Sequence, residues 1–195
     1  VHAFDRATAL VVVDVQNDFA DPDGGLSVPG GERIVPVVDA LIASAGAAGA
    51  LIVYTQDWHP DSTPHFAKDG GIWPVHCVAG TWGADFHPAL VVAGPTVRKG
   101  ANGEDGYSGF TMRDPATGQT QPTELDGLLR ERAIRRVVVC GLATDYCVKA
   151  TALDALRLGY ATTVPLAAVA AVDLQPGDGE RALAAMREAG VALAS

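Results

Sequence analysis

Ala9-Leu10-Val11-Val12-Val13 is an apolar run with no polar residue at alternate positions, and Asp14 halts it. A strand that does not alternate must be covered on both faces, so this run commits the chain to a sheet with helices above and below. Comparable runs recur at Leu51-Ile52-Val53-Tyr54-Thr55, Thr96-Val97-Arg98, Arg136-Val137-Val138-Val139-Cys140, Ala161-Thr162-Thr163-Val164 and Val191-Ala192-Leu193. Helical patterns fill the gaps. Ile34, Val37, Val38, Leu41, Ile42 and Ala45 keep a stripe at helical spacing, with Pro36 expected in its first turn. Leu125, Leu128 and Leu129 mark a second helix. Thr144 is expected to cap a third that runs through Val148, Ala152, Ala155 and Leu156 to a stop at Gly159, and Gly179 to precede a fourth, closed by Gly190. The alternation predicts one α/β domain over residues 1–195: a doubly wound, mainly parallel six-stranded sheet with helices on both faces.

Composition narrows the partners. The net charge is -9, which repels phosphate backbones and argues against nucleic acid. The longest apolar stretch, Leu41 to Tyr54, is broken by Gly46 and Gly49 and is too short to span a bilayer. Val1 is followed by neither a basic nor an apolar leader region, and three cysteines are an odd, small number; both point to reduced thiols in the cytoplasm. A small-molecule substrate is the expected partner, with monomer and homo-oligomer both open.

In open α/β sheets ligands bind beyond the carboxyl ends of the strands. Those ends carry Asp14, Asp57, Lys99 and, after the fourth run, a turn reaching Cys147. Cys147 falls in a helix first turn, where the helix dipole lowers a thiol pKa and free N–H groups can hold an oxyanion. Asp14 could take its proton and Lys99 could hold the thiolate. Position alone leaves this reading beside that of a buried, inert thiol; Cys140 and Cys77 are read as packing. Residues 56–88 form a long segment rich in Trp and His, expected to be an ordered site loop rather than a disordered one. Within it Asp57 and His59 are two apart, with His65 and His76 following. One carboxylate and three imidazoles suit Zn, Fe or Mn rather than Mg or Ca, beside the plainer reading of solvated loop histidines. His87 and His2 stay unassigned. No GxGxxG follows a strand, and neither a GxxxxGK[ST] loop nor a GxSxG elbow exists.

Taken together, Asp14-Val15-Gln16-Asn17-Asp18-Phe19, Asp57-Trp58-His59, Lys99-Gly100 and Gly141-Leu142-Ala143-Thr144-Asp145-Tyr146-Cys147-Val148 resemble, in order, the nicotinamidase/pyrazinamidase family of the isochorismatase-like cysteine hydrolases. The likeness spans residues 9–165. It implies a catalytic triad of Asp14, Lys99 and Cys147, and one divalent transition metal ion on Asp57, His59, His65 and His76. It implies a cis peptide before Ala143, with the Ala143 and Cys147 N–H groups forming an oxyanion hole, and Phe19, Trp73 and Tyr107 as walls around a substrate ring. The acidic, glycine-rich segment before Tyr107 leaves the placement of that ring open. The implied activity is hydrolysis of nicotinamide, and also of pyrazinamide, through a cysteine thioester. The alternatives are a metal-free relative acting on another small amide or enol ether, and a catalytically silent ligand-binding protein on the same fold. The cysteine mechanism and the metal recognition rest on different residues, so each can be tested without the other.

Overall fold

The computed structural model describes residues 4–195; Val1 and His2 lie outside the described residues. Nine strands follow one another among them: β1 (Thr8–Val13), β2 (Leu51–Asp57), β3 (Thr96–Lys99), β4 (Thr111–Arg113), β5 (Thr120–Pro122), β6 (Arg136–Leu142), β7 (Ala161–Pro165), β8 (Val169–Ala170) and β9 (Ala192–Ala194). The main sheet has the order β3-β2-β1-β6-β7-β9 and is parallel throughout. These are the six expected strands. The two-residue β8 is a seventh, which pairs with the end of β6 through Gly141 and Leu142. An antiparallel β4–β5 hairpin stands apart.

Five helices are α1 (Asn17–Ala20), α2 (Gly31–Ala47), α3 (Leu125–Glu131), α4 (Lys149–Arg157) and α5 (Asp178–Ala189). The strands are apolar on both sides because each side meets helices. Leu10, Val12, Ile52, Tyr54, Val138 and Cys140 pack with Ile34, Val38 and Ile42 of α2. Ala9, Val11, Val13, Val53, Val137 and Val139 face Leu125 and Leu129 of α3, Ala152 and Ala155 of α4 and Met186 of α5.

Local chemistry shifts several expected boundaries. Gly30, at φ 80°, caps α2 and starts it at Gly31, so Pro36 falls in the second turn instead of the first and withholds an N–H from the carbonyl four residues back. Thr144 does not cap its helix. Ala143, in extended conformation, takes that place, and Val148 N–H reaches back to Ala143 O at 3.0 Å, so Thr144–Val148 is a wide π turn leading into α4. Gly177 caps α5, leaving Gly179 inside it. Val191 N–H closes the end of α5 on Met186 O, which delays β9 to Ala192.

Strand order reverses between β1 and β6. At such a switch point the flanking loops diverge and open a crevice at the carboxyl ends. Asp14 follows β1 there, and the turn bearing Cys147 follows β6. Among the described residues no helix is long and apolar enough to cross a membrane.

Candidate active site

Register brings the charged groups together. Val13 pairs with Thr55 on one side and Gly141 on the other, and Asp57 pairs with Lys99. Asp14 turns out of the strand at φ 48°, a region a non-glycine residue occupies at a cost and one that recurs at functional sites. Gly141, at φ 109°, passes so close to the Val13 backbone that a Cβ there would collide with it. The close approach of β1 and β6 at their ends therefore requires glycine.

Lys99 is completely buried. Its ammonium donates to Asp14 Oδ2 at 2.7 Å, to Asp57 Oδ1 at 2.6 Å and to the Gly106 carbonyl, and lies 3.8 Å from Cys147 Sγ. Thr55 Oγ1 donates to the other oxygen of Asp14 at 2.6 Å. One ligand-type atom each from Asp14, Asp57 and Cys147 lies within 4.8 Å of the others. The carboxylate, amine and thiol expected to converge do converge. Asp57 joins them, so one carboxylate touches both the Lys99 cluster and the histidines.

The electrostatics differ from a simple helix-dipole expectation. Burial pushes the Cys147 thiol well above its ordinary range; Lys99 opposes this, while Asp14 and Asp57 add to it. This direction is opposite to the lowering that a helix first turn alone would give. Burial also pushes Asp14 up to about 6, against the pull of Lys99. A carboxylate raised that far is a better proton acceptor than an ordinary aspartate and is still ionised at neutral pH. Asp57 is buried too, yet Lys99, His59 and His76 hold it well below the usual carboxylate range. Burial disfavours the Lys99 charge, but Asp14 and Asp57 outweigh this and keep it protonated.

The histidines gather beside Asp57. One ring nitrogen each from His59, His65 and His76 lies within 4.8 Å of the others. Asp57 Oδ2 is 3.5 Å from His59 Nε2 and 3.9 Å from His76 Nε2. His76 Nδ1 lies 2.8 Å from the Pro74 carbonyl and His65 Nδ1 lies 3.3 Å from Asp105 Oδ1. Both partners only accept, so those nitrogens carry the protons and leave Nε2 of each ring unprotonated, with a lone pair that can bind a metal. Burial lowers the His76 pKa to about 4 and lowers that of His65, keeping both rings neutral at pH 7. Both nitrogens of His59 are buried without a hydrogen-bond partner. Unpaired buried polar atoms are costly, and a metal ion would satisfy one of them. Three imidazoles and an ionised carboxylate form a donor set that fits Zn, Fe or Mn.

Asp57, His65, His76 and Cys147 border a pocket also lined by Phe19, Trp73, Tyr107, Tyr146 and Ala143. The three rings expected around a substrate all line this pocket. Trp73 Nε1 donates to the Tyr107 hydroxyl at 2.9 Å, which fixes the ring whose placement was open. The Leu142–Ala143 peptide is cis. Tyr146 was missed by sequence reasoning, although its ring packs on Trp73 at 4.7 Å and on Tyr107 at 5.9 Å. Asp18 and Asp145 were missed as well. Asp18 accepts the N–H groups of Gly25 and Cys77, tying the first loop to the one bearing His76. Asp145 accepts those of Val172 and Asp173, holding Val172 against the cavity. Their signal was their place inside the quoted motifs. Cys77 and Cys140 are buried packing thiols, and His87 stays outside the site.

Residues 8–195 match the isochorismatase domain family. A nicotinamidase of Escherichia coli strain K12 is 39% identical over 203 residues, covering 95% of this chain and 93% of its own. Among solved structures, the pyrazinamidase of Pyrococcus horikoshii in complex with zinc superposes with a TM-score of 0.86 at 40% identity, covering 97% of this chain and 99% of that one. PnC1 from L. infantum in complex with nicotinate gives a TM-score of 0.89 at 35% identity, covering 98% and 94%.

Proposed function

The chain belongs to the isochorismatase domain family, and from that premise we propose that it is a nicotinamidase, hydrolysing nicotinamide to nicotinic acid and ammonia and accepting pyrazinamide as well. The observation that carries the reading is the junction at Asp57: one oxygen meets the Lys99 of an Asp–Lys–Cys set, the other faces His59 and His76 of the histidine cluster, and both sets border one aromatic-walled pocket. The histidine cluster favours this over a metal-free relative. The resemblance to enzymes solved with zinc and with nicotinate points the same way.

In this mechanism Asp14 accepts the thiol proton while Cys147 Sγ bonds to the carboxamide carbon. The carbonyl oxygen becomes an oxyanion held by the Ala143 and Cys147 backbone N–H groups. Asp14 returns the proton to the amide nitrogen, the C–N bond breaks, and ammonia leaves a thioester. Asp14 then removes a proton from water as the water oxygen attacks that carbon. Collapse of the second tetrahedral species breaks the C–S bond, and the sulfur regains its proton from Asp14. Lys99 stays charged and offsets the negative charge that moves between Asp14 and sulfur. Phe19, Trp73 and Tyr107 hold the planar ring. Asp57, His59, His65 and His76 would hold the divalent metal, which when bound supplies a Lewis-acidic contact for the ring nitrogen and for water.

On this reading the domain works in the cytoplasm, on small molecules, without nucleic acid or membrane. The acidic charge and the free thiols of Cys77, Cys140 and Cys147 support this reading. Ammonia release from nicotinamide by the purified protein, with metal analysis of the same sample, is the direct test. No ammonia would leave a silent binding protein. Turnover without bound transition metal would favour the metal-free alternative.

A further inference from the structure

Gln16 is completely buried, and its side-chain amide makes three hydrogen bonds. Nε2 donates to the Asp57 carbonyl and to the Ala84 carbonyl, each at 2.8 Å. Oε1 accepts the Asp57 N–H, also at 2.8 Å. The amide therefore pairs with both backbone groups of one residue, as a neighbouring strand would. The need arises from the sheet itself. β1 pairs with β2 only as far as Val13 and Thr55, and then leaves the sheet at Asp14. Asp57 keeps its β3 neighbour Lys99, whose carbonyl accepts the next N–H, from Trp58, at 2.9 Å. On the β1 side its N–H and C=O would be orphaned in the interior, where an unpaired backbone group is costly. The Gln16 side chain supplies the missing rung. Its own backbone is anchored by a bridge to Phe86 and by donation to Asp14 O at 2.8 Å.

The consequence reaches the site because Asp57 has an exacting task. Its carboxylate must place Oδ1 on Lys99 and Oδ2 toward His59 and His76 at once. The direction of its Cα–Cβ bond follows from the peptide planes that Gln16 fixes. We propose that Gln16 is a positioning residue for the metal site: by completing the β2 ladder it sets the aim of the Asp57 carboxylate and thereby the affinity for a divalent cation. This rests on the reading above in which Asp57 and the three histidines bind that cation.

The test uses zinc itself, titrated into metal-stripped full-length protein against a chromophoric chelator, with the melting temperature of each variant recorded. Gln16→Met keeps the volume and removes all three bonds. Gln16→Asn keeps an amide but draws it back by one methylene, and serves if the first variant does not fold. Gln56→Met is the control, because the Gln56 amide donates to the same Ala84 carbonyl at 2.8 Å without touching the Asp57 peptide groups. Loss of partners that orient a metal ligand typically costs about 10- to 100-fold in affinity. Zinc affinity should fall at least about tenfold in the Gln16 variants and stay within about twofold of the parent in Gln56→Met. Equal affinity in Gln16 and Gln56 variants of similar melting temperature would overturn the inference, since a merely structural role would move both alike. His59→Ala separates this from the underlying reading. If that variant binds zinc as the parent does, the ligand assignment itself is wrong; if it loses zinc while the Gln16 variants keep it, only the positioning role fails.

Discussion

Lys99 Nζ lies 2.6 Å from Asp57 Oδ1 and 2.7 Å from Asp14 Oδ2, so one buried ammonium spans two buried carboxylates. Removing it leaves both acids without their counter-charge. Breaking a buried pair from one side costs about 3–5 kcal/mol. Lys99→Met should lose stability on that scale in chemical denaturation, lose turnover, and alkylate more slowly at Cys147 with iodoacetamide near neutral pH. An unchanged alkylation rate would show that Lys99 does not assist the thiol.

Cys147→Ala removes the attacking sulfur from a helical turn that accepts alanine well. Turnover should fall by at least about 10⁴-fold while metal content and fold persist, since loss of a nucleophile is not compensated by its neighbours. Residual activity above about a tenth of the parent would exclude the covalent route.

The acid limb of kcat/KM should report Asp14. Its pKa is raised to about 6, so the ionised base is lost as pH falls through that value, and the rate should decline below it. The same shift means that folding favours the protonated acid, so the stability Asp14 contributes is greatest below the ordinary aspartate range and falls as pH rises toward 6. A limb near 4 in the pH profile would identify a different base.

His59→Ala and His76→Ala should each purify with much less bound metal and turn over poorly, because an incomplete donor set binds weakly. Elemental analysis decides it: full occupancy in either variant removes that residue from the ligand set.

Benzamide has the shape and carboxamide of nicotinamide without the ring nitrogen. A site built to engage that atom rejects the analogue lacking it by as much as ~10⁴ in kcat/KM. Nicotinamide and pyrazinamide should be hydrolysed and benzamide very poorly. Similar values for benzamide and nicotinamide would show that the ring nitrogen is not recognised.

The parallel sheet was legible because its strands are continuous apolar runs, which few other environments tolerate. The hairpin of β4 and β5 was not, since Thr111–Arg113 and Thr120–Pro122 are polar or exposed and carry no buried face to pattern them. β8 has only two residues, too few for any periodicity. The charged groups at strand ends could be found because sheet topology dictates where such ends meet. Asp105, which orients His65, lies in a glycine-rich acidic segment whose composition carries no such rule. Gln16 was quoted within a motif, but its role depends on β1 leaving the sheet at Asp14, a backbone event with no side-chain signature. The joining of triad and histidines at Asp57 follows from the pairing of Asp57 with Lys99, which becomes visible only with the register.

Asp14, Lys99 and Cys147 hang from β1, β3 and the end of β6, and β1 is the strand that β2 and β6 both require as a neighbour. The three lie far apart in the sequence, and a state in which the central strand has come loose does not hold them in contact. Such long-range assembly arises only with the cooperative closure of the sheet. A chain caught partly open therefore exposes a sulfur of ordinary reactivity, without its base or its cation. Chemical labelling of Cys147 becomes a gauge of native topology as well as of the reaction.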